Sequence, residues 1–263
     1  EQLAATQPFP TKPAPFDMQG LTPDNLIDFT PALRQQALEA IADYEIGPLF
    51  NPPLHRDNDI GKVAALWCPG DGGGANIPGP AVADPTQGIL YVTSRSACSS
   101  RMVTAAQERD SMIELPTGTT FSRFASLRAL PVRGPQGLPL FKPPYSRITA
   151  IDMNTGEHLW MIPVGDTPDR IRNHPALAGV DVGHTGTGAL APMTVTANML
   201  LYASTGSDET PYLFAVDKRT GQELARVEVP DTSNFGMSSF VHKGKQYVML
   251  QTGSKLTAVA LPD

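Results

Sequence analysis

The sequence predicts an all-β fold, a partial β-propeller preceded by an extended linker that carries one short helix. Three observations predict it. Gly and Pro are abundant, with 23 and 26 copies in 263 residues, which favours many turns over long helices. After the first 60 residues, short apolar runs alternate with turn signals,. One turn signature, A-x-D-x-x-T-G-x-x-L, occurs twice, each copy with a strand-like run ahead of it, and such a repeat is the mark of stacked blades.

The first 60 residues read as linker. Pro8 through Pro15 is Pro-rich and is expected to run extended over a surface,. Thr30 to Tyr44 is expected to form one helix. Thr30 serves as N-cap and Pro31 takes the first helical position. Leu33, Ala37, Leu38, Ile41 and Ala42 fall on one apolar face,. Gly47 and Pro48 are expected to stop the helix, with extended chain again from Pro48 to Pro53.

Residues 61–263 read as blades. Apolar runs of strand length and composition include Gly88–Thr93, Arg147–Asp152, Leu159–Pro163, Met199–Ser204, Tyr212–Asp217, Gln246–Gln251 and Leu256–Leu261,. The repeat reads ITAIDMNTGEHLW from Ile148 to Trp160 and LFAVDKRTGQELA from Leu213 to Ala225, with a shortened third copy at Leu256–Pro262. In each full copy a strand ends at Asp152 or Asp217, whose carboxylate accepts hydrogen bonds from the turn backbone. Thr-Gly then closes the hairpin, because Gly adopts positive φ freely. Hairpins at this period predict four-stranded sheets set radially; a β-sandwich needs no such regular turn. The stretch from Cys98 to Pro143 interrupts the first blade. It holds Pro131, Gly134, Pro135, Gly137 and Pro139 with little periodicity, so a long surface loop insertion is expected there.

Composition excludes several classes. A net charge of −6, without a basic stripe, argues against nucleic acid,. No apolar run reaches the roughly 18 residues of a membrane span. Glu1 opens the chain with no signal-peptide pattern after it,; a removed leader or cloned boundary and cleavage of a longer chain both account for that. Cys68 and Cys98 lack CxxC, CxxCH or Cys/His metal spacing, which disfavours zinc and attached haem,. They either pair in an oxidising compartment or stay as two buried thiols. Gly70-Asp71-Gly72-Gly73-Gly74 lacks the following Lys and helix of a phosphate loop,.

The hairpin from Ala150 to Trp160 resembles the tryptophan-docking motif of the pyrroloquinoline-quinone (PQQ) dehydrogenases. GGGANIPGPAVADPTQGILYV, from Gly72 to Val92, resembles a blade opening of that family. GKQYV, Gly244 to Val248, resembles its C-terminal strand, and Pro10–Phe50 resembles the mid-chain linker of its membrane-bound glucose and polyol branch. These segments follow family order across most of the chain. Ile77 and Ala225 stand where the family carries an aromatic residue and the docking tryptophan.

The resemblance implies an eight-bladed ring holding PQQ with Ca²⁺ at its axis. It implies hydride transfer from an alcohol, polyol, sugar or cyclic hydroxy acid to PQQ, with electrons passing to a quinone or cytochrome, in the periplasm. Eight blades need about 340 residues at the usual 40–45 each, more than residues 61–263 provide. The remainder is expected from another chain, either a separately encoded subunit or the other part of a nicked precursor. A membrane anchor would lie there too. The family's catalytic Asp and most calcium ligands precede the linker, so none is assigned here, and neither Asp59 nor Asp71 is put in their place.

What the resemblance leaves to this chain is part of the cofactor pocket. Asn76 matches the family Asn whose amide bonds the quinone edge; the alternative is a turn Asn bonding its own backbone. Gly183-His184-Thr185-Gly186-Thr187-Gly188 matches a loop where backbone approaches the cofactor, which nominates His184, Thr187 and Gly188. A loop His bonded to a carbonyl is the commoner role for His184. Gly236, in Asn234-Phe235-Gly236-Met237, opens the last blade in the same way. Trp67 and Trp160 read as packing residues. The competing function is a propeller scaffold or binding subunit without redox activity. Substrate identity is not encoded in any motif here.

Overall fold

Thr30 accepts a hydrogen bond from Leu33 N at 3.2 Å on its side-chain oxygen, and helix α1 runs from Pro31 to Ile41. This is a computed structural model that describes residues 10–76, 81–106, 123–128 and 132–260. Pro8, Ile77, Pro131 and the close of the third repeat at Leu261 and Pro262 lie outside those residues. The helix buries Leu33, Ala37 and Ile41, the stripe its spacing predicts. It ends well before Gly47, because Tyr44–Ile46 becomes strand β1 and Ala42 already caps the helix. A sheet partner, not the Gly-Pro pair, ends it.

The linker is not a separate piece. β1 pairs in parallel with β3 (Ala64–Trp67), and β2 (Leu54–His55) joins the same sheet. The first blade holds β4 (Ala81–Asp84), β5 (Ile89–Arg95), β8 (Ser146–Asp152) and β9 (His158–Pro163), in that order and antiparallel. The insertion does interrupt one blade, since it leaves from β5 and returns at β8. It is more than a loop, however. β6 (Ser99–Ala105) and β7 (Phe124–Arg128) form a hairpin, and β6 pairs with both β2 and β3. Alternating polar residues in SSRMVTA hid that strand, which faces the linker rather than the blade. Cys68 and Cys98 form a disulfide that ties the end of β3 to the start of β6.

The second blade holds β10 (Met193–Val195), β11 (Met199–Thr205), β12 (Pro211–Asp217) and β13 (Glu223–Glu228). A four-residue helix α2, Asp169–Arg172, lies in the connection from the first blade. The third sheet has three strands, β14 (Met237–His242), β15 (Lys245–Thr252) and β16 (Lys255–Ala260). β10 touches β4 on one side and β14 on the other. The first strands of successive sheets therefore lie together and the last ones splay outward, as in propeller blades. β13 is exposed along its whole length, whereas β8 is buried to Ile151.

Alternation along β11 builds both seams of the second blade. Leu200 and Tyr202 face the first blade and pack with Tyr91, Ile148, Phe214 and Val216. Leu201 and Ala203 face the third sheet and pack with Leu213, Val248 and Leu250. Linker and insertion share a third core around Leu26, Ile27, Leu66, Leu140 and Tyr145.

The repeated turns form as predicted. Asp152 Oδ1 accepts from Asn154 N at 2.7 Å and Thr155 N at 3.3 Å; Asp217 Oδ1 accepts from Arg219 N at 2.8 Å and Thr220 N at 2.9 Å. Gly156 and Gly221 take φ of 72° and 74°. Trp160 lies on the second turn. Its Nε1 donates to Lys218 O at 3.3 Å, and a Cβ on Gly221 would stand 3.0 Å from the indole. On the first turn the matching place over Gly156 is filled by Lys12, which pairs with Glu157. Ala225 takes Trp160's place in the second repeat and lines an apolar cleft of about 340 Å³ with Leu213, Leu224, Val248 and Val259.

Candidate functional site

Each candidate residue precedes the first strand of a sheet. Asn76 lies five residues before β4, Thr187 and Gly188 shortly before β10, and Gly236 immediately before β14. Because β4, β10 and β14 are neighbours, the fold brings these residues to one end of the inner strands. Asn76, His184 and Gly236 are exposed there, and Thr187 and Gly188 are half-buried. Among the described residues, nothing lies within 4 Å of where a Cβ on Gly236 would stand.

The loop from Gly183 to Gly188 is stapled to the first blade. Thr187 N donates to Val164 O at 2.9 Å and Gly188 N to Ser146 Oγ at 3.0 Å. Gly186 has φ of 70°, and a Cβ there would stand 2.7 Å from Ser146 O. Its smallness serves the contact between blades. His184 Nε2 lies 2.6 Å from Gly165 O. A carbonyl only accepts, so Nε2 carries the proton and the ring holds backbone, the commoner of its two expected roles.

The glycine-rich segment is fixed by the linker and insertion. Gly70 N donates to Ala97 O at 3.0 Å and Asp71 N to Ser99 Oγ at 2.9 Å, while the Asp71 carboxylate pairs with Arg101. Arg95 N donates to Gly74 O at 3.0 Å. Trp67 ends β3 half-buried, next to this segment.

Two buried ion pairs were not anticipated from sequence. Arg147 at the start of β8 donates to Asp17 Oδ1 at 2.9 Å, to Ser94 Oγ at 3.1 Å and to Phe16 O at 3.1 Å. Burial raises the Asp17 carboxyl above its ordinary value, although Met18 N and Arg147 oppose this. Lys218 Nζ lies 2.5 Å from Asp84 Oδ2. Burial pushes the Asp84 carboxyl up, but hydrogen bonds from Lys218 and Thr86 outweigh it and hold the group at about 2. An Arg second in the strand-like run SRITAID was the one available signal for the first pair. The second had none, since Asp84 and Lys218 are 134 residues apart.

Among the described residues, no three His, Cys, Asp or Glu side chains group to hold a metal ion. An amide at Asn76, a hydroxyl at Thr187 and open space at Gly236 suit the polar rim and flat body of a quinone ring.

The family model of the PQQ glucose/ethanol/alcohol dehydrogenase β-propeller domain matches residues 1–248. A probable quinate dehydrogenase (quinone) of Xanthomonas campestris pv. juglandis is 26% identical over 291 residues, covering 100% of this chain and 34% of that protein. A quinate/shikimate dehydrogenase (quinone) of Acinetobacter baylyi is 24% identical, covering 96% and 31%. The chain thus spans about a third of the length of these relatives. Among solved structures, quinohemoprotein alcohol dehydrogenase from Comamonas testosteroni aligns with a TM-score of 0.43 and 15% identity, over 80% of this chain and 28% of that one.

Proposed function

The chain belongs to the family of PQQ glucose, ethanol and alcohol dehydrogenase β-propeller domains, and from that premise we propose that it forms one arc of the cofactor pocket of a quinoprotein dehydrogenase. The observation that carries this reading is the alignment of Asn76, Thr187, Gly188 and Gly236 ahead of three adjacent inner strands. PQQ, when bound, supplies a quinone that accepts hydride from the carbon of an alcohol, polyol, sugar or cyclic hydroxy acid.

Asn76 and Thr187 orient the cofactor by hydrogen bonds to its polar edge. Gly188 and Gly236 leave the approach open, and His184 keeps the loop at Gly165. The base that takes the alcohol proton, and most of the ligands of calcium, belong to other polypeptide in this reading. So do the remaining blades, and the route of electrons to a quinone or cytochrome.

Two further observations support the setting. The third sheet exposes Val241 at 69% and Leu256 at 73%, apolar surface that suits a neighbouring blade. The Cys68–Cys98 disulfide suits an oxidising compartment such as the periplasm,. Among the described residues no helix is long and apolar enough to cross a membrane.

The test is reconstitution of the assembled protein with PQQ and Ca²⁺, read by retained PQQ absorbance and by dye reduction with candidate alcohols. Retention of PQQ, with loss of retention in Asn76→Ala, supports the reading. An assembly that takes up no PQQ is a scaffold, and the dehydrogenase reading then fails.

A further inference from the structure

The glycine-rich segment that leads to Asn76 rests on a single buried carboxylate of the linker. A Cβ on Gly74 would overlap Asp17 Oδ2, so the segment crosses directly over that oxygen. The Asp17 side chain is 8% exposed, and its Oδ2 has no hydrogen-bond partner among the described residues. Oδ1 accepts from Met18 N at 2.7 Å and from Arg147 at 2.9 Å. Arg147, itself 11% exposed, also reaches Ser96 Oγ at 3.4 Å and Pro144 O at 3.3 Å. Ser94 Oγ donates to Phe16 O at 3.2 Å. One guanidinium thus gathers linker, β5 and the end of the insertion under one loop.

Packing of this kind is what holds a binding group in place when its own segment has no regular structure. From Gly70 to Asn76 the chain has turns and bends only. Its fixed points are Ala97, Ser99, the Arg95 amide and the Asp17 carboxylate beneath Gly74. Arg147 is the charged group that faces Asp17, and Arg95 comes within 3.9 Å of a Cβ on Gly72. We propose that Asp17, held by Arg147, is a positioning residue for Asn76: the pair sets the height of the Gly70–Asn76 segment and thereby the place of the amide at the cofactor edge. This rests on the dehydrogenase reading given above.

The experiment titrates PQQ onto the assembled protein by equilibrium dialysis and follows thermal unfolding in parallel. Variants are Asp17→Asn, Asp17→Ala, Gly74→Ala and the double Asp17→Ala/Gly74→Ala. Gly74→Ala is expected to weaken PQQ binding about tenfold, the scale of one lost hydrogen bond to a charged group. Asp17→Asn keeps shape and an acceptor for Arg147 but leaves its charge uncompensated, and is expected to bind PQQ within about twofold of wild type while unfolding at a lower temperature. Asp17→Ala removes the support and is expected to weaken binding to a similar extent, so the double should lose little more than either single variant, a non-additivity that two independent structural lesions would not give. Wild-type binding with unchanged affinity in Gly74→Ala, or strictly additive losses, overturns the positioning role alone. A wild-type assembly that binds no PQQ overturns the dehydrogenase reading with it.

Discussion

Lys218 joins the first two blades twice: its ammonium lies 2.5 Å from Asp84 Oδ2, and its main-chain carbonyl accepts from Tyr91 Oη at 2.9 Å and Trp160 Nε1 at 3.3 Å. Both charged side chains are buried, at 5% and 4% exposure. Removing one partner leaves an uncompensated charge, which costs about 3–5 kcal/mol. Lys218→Met is therefore expected to lower the unfolding midpoint in denaturant well below wild type. A midpoint unchanged within error would show that the pair does not hold the seam.

The same pair sets an acid dependence. The Asp84 carboxyl is depressed from 3.8 to about 2 in the folded chain. Its stabilising contribution is full above the unfolded value and is lost as pH falls through about 2,. Asp84→Asn is expected to be less stable than wild type at neutral pH, with the gap narrowing between pH 4 and pH 2 in acid-unfolding curves. A constant gap would assign the loss to packing.

Trp160 and Gly221 form one contact from its two sides. Trp160→Ala deletes the indole from the seam and is expected to cost about 3 kcal/mol. Gly221→Ala inserts a Cβ 2.9 Å from Ile162 Cγ2 at a residue with φ of 74°, and is expected to cost roughly 1–3 kcal/mol. Calorimetry of the two variants and their double tests the contact, since the double should lose less than the sum.

Ala225 offers the opposite experiment. The cleft of about 340 Å³ beside it is where the second seam lacks its indole. Ala225→Trp is expected to raise stability by about 0.5–2 kcal/mol, as cavity-filling changes commonly do. A fall in melting temperature would show that the seam has no room for the ring.

Reduction of Cys68–Cys98 frees a loop that spans 30 residues. The chain-entropy relation gives a loss of roughly 3–4 kcal/mol. Denaturant unfolding with and without reductant should show that loss, and Cys68→Ala/Cys98→Ala should reproduce the reduced value.

The sequence by itself determined the blades and their turns. Apolar alternation placed β5, β8, β11 and β12 to within a few residues, because period-two burial is written locally. The Asp and Gly of each turn were equally legible, since an Asx turn and a positive φ are needs of four or five consecutive residues. The candidates Asn76, His184, Thr187, Gly188 and Gly236 rest on motif, and nothing in the motif said that they all precede the first strands of neighbouring sheets.

Tertiary structure alone decided the rest. SSRMVTA became a strand because β3 and β2 pair along one of its edges and β7 along the other, and α1 ended early because Tyr44–Ile46 found β3. Asp17 met Arg147 across 130 residues and Asp84 met Lys218 across 134. Such pairings depend on which surfaces exclude water together, a property of the packed chain that no local pattern of residues records.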